Sequence, residues 1–209
     1  MDKRIKLTEK EMCNYFIREQ KVMEYGEEFF RDICACLIMT GTYTFVNDEV
    51  LPLSCYNLMD EYIKAVEEDS DYVTNGGFVE AGKKQAYIRI GIDTSSDILS
   101  ESLKKTIRHE IIHYYLWVLG LPHRDNNLEF WCLCHIYDGG AYEQLSEDDQ
   151  SYYELFQELY DTHVANLQWN LNHLITGQMI TGLGEVTKDK YVDYVMETVN
   201  ALKRTHNLS

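Results

Sequence analysis

Residues 98–119 constrain the fold more than any other stretch of this chain. They run without a glycine or proline, are dense in Ile, Leu, Val, Tyr and Trp, and are followed by Gly120 and Pro122. Such a run reads as one helix with a stop signal behind it, and Ser95, Ser96 or Asp97 is the expected N-cap. A helix that is apolar on most of its circumference belongs in a core, so other elements must wrap it.

Candidates for the wrapping lie on both sides. In residues 8–39, Met12, Tyr15, Phe16, Met23, Phe30, Ile33, Leu37 and Ile38 recur at helical intervals until Gly41. Residues 42–46 are β-prone, and residues 57–68 suit a short amphipathic helix. Asn75, Gly76 and Gly77 mark a turn. The FVEA segment after them, and AYIRIGI with Ile88, Ile90 and Ile92 alternating against Tyr87, Arg89 and Gly91, read as a hairpin or as neighbouring strands. Downstream, residues 128–137, 146–175 and 188–205 read as helices. The expected class is α+β: a short β-sheet packed on the 98–119 helix, with mostly helical N- and C-terminal segments. Residues 1–140 form the expected main domain, and residues 141–209 an acidic helical extension that either stands apart or packs on it.

Charge narrows the partners. Nineteen Lys and Arg against 35 Asp and Glu leave a net charge of −16, and no cation occurs between Arg124 and Lys188 or between Asp32 and Ile63. That charge repels phosphate backbones and anionic lipid, so direct nucleic-acid binding is not expected, while a basic protein partner docking on the acidic C-terminal region is. The longest apolar run, Ile33 to Met39, is far short of the roughly 20 residues of a membrane span. The charged N-terminus lacks a secretory pattern, which points to the cytoplasm, where the six cysteines stay reduced.

The chemistry sits inside the long helix. His109 and His113 are one turn apart and reach toward the same point, while Glu110 lies about 100° around the axis. In this His-Glu-x-x-His arrangement two imidazoles hold one zinc ion and the glutamate acts as general base. Three buried polar groups in an apolar segment would be costly without a partner, and a cation provides one. A hydrogen-bonded core pair is the competing reading of the two histidines. A catalytic zinc takes three protein ligands. His123 is the first candidate for the third, because the break at Gly120 and Pro122 lets the chain fold back; Glu129 and Glu143 remain open as alternatives. Leu116 and Leu119 stand where a metzincin needs Gly and His.

The string HEIIHYYLWVLGLPHRDNNLEFW, residues 109–131, resembles the signature of SprT-like zinc metallopeptidases, and Gly76, Gly77 and YIRIGI resemble that family's stretch ahead of the metal helix. The resemblance covers roughly residues 70–137. It implies a small zincin-like core, zinc on His109, His113 and His123, Glu110 as the base, and a protein or peptide substrate. The paired cysteines of the family's zinc ribbon are missing, since Cys34 and Cys36, like Cys132 and Cys134, are one residue too close; the latter pair reads as buried thiols on a helix. A DNA-bound substrate does not carry over to a chain this acidic. The reading from a different class is an acidic binding protein that occupies a basic site of a nucleic-acid-handling partner and uses the metal only for structure. No Gly-x-Ser-x-Gly string and no phosphate loop is present.

Overall fold

The computed structural model describes residues 7–39 and 51–157, except 71–72, 83–84, 96, 142, 152 and 155. Its elements are α1 (Glu9–Met39), β1 (Leu53–Asn57), α2 (Leu58–Glu67), β2 (Gly76–Gly82), β3 (Gln85–Ile92), α3 (Glu101–Val118) and α4 (Leu128–Tyr137). A further helix begins at residue 147 and continues to the last described residue, 157. The chain is mixed α+β. It falls into two compact units, Met1–Arg31 with Val50–Tyr114, and Asp32–Glu49 with Tyr115–Ser209. The expected strand at 42–46 and helix at 188–205 lie outside the described residues, as do His163, His173 and His206.

In the first unit the sheet order is β1-β3-β2, with β1 parallel and β2 antiparallel to β3. Ile88, Ile90 and Ile92 of β3 are fully buried, as are Ile107, Ile111 and Ile112 of α3 and Val22 of α1. The alternation that suggested a strand therefore marks its inner face. Strand β1 carries no such signal: Ser54, Cys55, Tyr56 and Asn57 hardly read as a strand, and their place comes from pairing Leu53–Asn57 with Ile88–Ile92. Gly76 and Gly77, expected in a turn, are the first residues of β2 instead.

Caps follow local chemistry closely. Thr8 and Glu11 exchange bonds at the start of α1, the Glu11 N–H donating to Thr8 Oγ1 at 3.3 Å and the Thr8 N–H to Glu11 Oε2 at 2.8 Å, a reciprocal capping box. Asn57 caps α2, accepting from the Met59 N–H at 3.1 Å. Helix α3 begins later than expected: Ser100 is its cap, accepting from the Leu103 N–H at 3.2 Å. The nearer candidates are engaged elsewhere. Ser95 donates its N–H and hydroxyl to the Asp93 carboxylate at 2.9 and 2.5 Å, and α1 holds the carbonyls of this loop. Arg18 donates to Asp93 O at 2.7 Å, Asn14 to Thr94 O at 3.2 Å and Lys21 to Asp97 O at 2.8 Å.

Asp93 is accordingly held below its ordinary carboxylate pKa of 3.8, first by the Ser95 hydroxyl, then by the Ser95 N–H, with a smaller contribution from Arg18. A lowered folded pKa stabilises the protein above 3.8, and that contribution disappears as pH falls through the lower folded value. The stability difference between wild type and Ser95→Ala in urea melts is therefore expected to be full at pH 6 and to vanish toward pH 2. A difference that grew with acidification would contradict the assignment.

In the second unit, the end of α3 closes as a Schellman motif. Gly120 has φ +70°, its N–H reaches Trp117 O at 3.0 Å, and the Leu121 N–H reaches Leu116 O at 2.9 Å. Only a residue at ease in the left-handed region closes a helix this way. Helix α4 buries Leu128, Phe130, Leu133 and Ile136, and also Cys132 and Cys134, the expected core thiols. The helix at 147 is capped by Ser146, whose Oγ accepts from the Asp149 N–H at 3.2 Å. Among the described residues no helix is long and apolar enough to cross a membrane.

Candidate metal centre

Helix α3 is fastened to α1 before it presents its polar groups. Arg108 donates to Tyr25 Oη at 2.6 Å, and the Phe30 and Tyr114 rings lie 5.6 Å apart. Between these anchors His109, Glu110 and His113 are all buried, at 6%, 7% and 5% exposure. Their ligand atoms lie within 4.8 Å of one another and form a group that could hold a metal ion. Among the described residues no second group of this kind occurs.

The geometry of the pair is specific. His109 Nε2 and His113 Nε2 are 3.2 Å apart, with the rings nearly perpendicular at 85°. Nitrogens about 2.05 Å from a shared ion and 3.2 Å apart subtend about 103° at it, close to the tetrahedral value that zinc adopts. The same spacing also serves a hydrogen bond between two imidazoles. Beside the pair lies the buried Glu110 carboxylate, which makes the group's donor set two imidazoles and one carboxylate.

The ring of Phe78 from β2 stacks on His113, centroids 5.9 Å apart and planes 21° apart. Gly76 of the same strand meets Thr106 and Glu110. Neither residue stands out in the sequence as part of a site; the signal available was the alternation of β2, which puts positions 76 and 78 on one face. Tyr56 belongs to the same surroundings. Its hydroxyl donates to Thr74 O and is pushed above its ordinary range by burial, then by Glu61, with Glu110 adding to the effect.

His123 lies in the second unit and is not part of the group formed by His109, Glu110 and His113. Its own loop is well tied. Leu121 is bound to α3 as described, the Arg124 N–H donates to Asn127 Oδ1 at 2.7 Å, and Trp131 Nε1 donates to Asp125 O at 2.6 Å. His123 Nδ1 is 2.9 Å from Leu121 O. A carbonyl only accepts, so Nδ1 is the donor in this contact. Metal-ligating histidines show this same carbonyl bond. Of the two glutamates left open as ligands, Glu129 is buried on α4 at 5% and Glu143 is exposed.

Two of the thiols are shifted away from the reactive range. Burial, followed by Glu19, pushes Cys55 up to about 12, and burial with Glu129 raises Cys132 well above the ordinary thiol range. Reactive cysteines need the opposite shift. Comparison with known protein families, with curated proteins and with solved structures returns no match.

Proposed function

We propose that this chain is a zinc-dependent metallopeptidase of the SprT-like, zincin type, with His109, His113 and His123 as ligands and Glu110 as general base. The observation that carries the reading is the 3.2 Å convergence of the His109 and His113 Nε2 atoms beside the buried Glu110 carboxylate. The donor set suits zinc, a borderline ion that favours imidazole nitrogen. Support for His123 is internal to its loop: its Nδ1 lies 2.9 Å from the Leu121 carbonyl, the kind of bond that orients ligand histidines.

When bound, zinc supplies Lewis acidity, which polarises a peptide carbonyl and acidifies water toward pH 7. Glu110 would accept a proton at a carboxylate oxygen from the attacking water and return it to the departing amine nitrogen. Its burial excludes bulk water from the transfer and keeps the carboxylate where the helix places it. The two histidines do no proton transfer. They would hold the ion through Nε2, the two atoms that face each other at 3.2 Å.

Metal analysis of protein purified without added metal tests the reading. One zinc per chain is expected, falling to background in His109→Ala. A hydrogen-bonded histidine pair predicts no zinc in either protein, and that result would end the proposal.

A further inference from the structure

Strand β2 does more than complete the sheet. Gly76 and Phe78 alternate onto the face that meets α3, and each touches a different member of the metal group. A Cβ on Gly76 would lie 2.6 Å from Thr106 Cγ2, 3.1 Å from Glu110 Oε1 and 3.2 Å from Glu110 Cγ. Gly76 is not among the residues with positive φ, so its backbone suits any residue, and what the missing side chain gives is space. Its neighbour Gly77 is the contrast, since a Cβ there would meet nothing within 4 Å. Two residues along, Phe78 stacks on His113. Thr106, Glu110 and His113 follow one another at helical spacing on α3, so β2 lies along the ridge that bears base and ligand.

We infer that β2 is a positioning strand for the metal centre: Gly76 leaves the room in which the Glu110 carboxylate rests, and Phe78 orients the His113 ring. The inference rests on the metallopeptidase reading and adds the residues that set its geometry. A glutamate has three rotatable bonds, and a base works only in the few arrangements within reach of its proton. Backbone at Gly76, rather than a side chain, is the wall that limits those arrangements. A ligand imidazole turns about its Cβ–Cγ bond in the same way, and the flat face of Phe78 resists that turn. Val79, one residue beyond Phe78 and paired with Tyr87, alternates onto the other face.

The test compares Gly76→Ala, Gly77→Ala, Phe78→Ala, Phe78→Tyr and Val79→Ala in the full chain. Zinc affinity is read by competition with a chromophoric chelator, kcat and KM on fluorescently labelled denatured casein, and folding by thermal melts. Phe78→Ala is expected to weaken zinc binding by on the order of tenfold, and Phe78→Tyr, which keeps the ring, to restore it. Gly76→Ala is expected to lower kcat by roughly ten- to a hundredfold, with KM and zinc affinity near wild type. Gly77→Ala and Val79→Ala should match wild type in all three readouts. Equal losses in Gly76→Ala and Gly77→Ala, or zinc affinity in Phe78→Ala that only follows a fall in melting temperature shared by Val79→Ala, would overturn the positioning role while leaving the peptidase reading standing. A wild-type chain that takes up no zinc or cleaves no casein overturns both.

Discussion

Glu110→Gln is expected to lower peptide-bond hydrolysis by on the order of a thousandfold while zinc uptake stays at the wild-type level. Glutamine has nearly the same shape, so it fits the buried position and leaves the His109 and His113 pair undisturbed. What it loses is the ability to receive a proton. The expected signature is therefore a fall in kcat with zinc stoichiometry and melting temperature retained. The measurement also separates the two classes of function. If Glu110→Gln keeps the protein's full biological activity, hydrolysis is not that activity, and the acidic binding reading takes its place. A binding role of that kind would weaken steeply with added salt and would fail when the acids from Glu143 to Asp161 are neutralised.

Ile111→Ala is expected to be the most destabilising of the simple core truncations near the site, costing about 2–5 kcal/mol. Ile111 is fully buried and sits on α3 between the base and the second histidine. Gly26 of α1 faces it: even a Cβ added there would stand in ordinary contact with Ile111 Cδ1, at 3.5 Å. A fully buried side chain leaves a cavity that its neighbours fill only in part, and that residual void is the source of the loss. Thermal melts should show a drop on the order of 10 °C. A drop of only a degree or two would mean that α1 and α3 close over the gap and that this contact is softer than its distances imply.

Local signals were legible in this sequence to the extent that local chemistry controls them. The stop at Gly120, the short helix near 57–68, the extent of α4 and the alternation in β3 all depend on neighbours a few residues away. The convergence of His109, Glu110 and His113 is equally local, since one helical turn brings it about. Where distant residues decide, the sequence was silent or misleading. The start of α3 moved to Ser100 because Asn14, Arg18 and Lys21, far upstream, hold the carbonyls of the preceding loop. Strand β1 exists because β3 offers a parallel edge. Gly76 reads as a turn residue until the side chains of Thr106 and Glu110 are placed beside it.

The same upstream anchors bear on how the molecule can be dissected. Asn14, Arg18 and Lys21 act across 75 to 80 residues of chain, so the approach to α3 is built from parts that leave the ribosome at very different times. A peptide excised to start after α1 would contain His109, Glu110, His113 and His123, yet it would lack the side chains that fasten the loop leading into α3. A truncation that keeps the His-Glu-x-x-His motif but begins after α1 therefore loses part of what holds the approach to it.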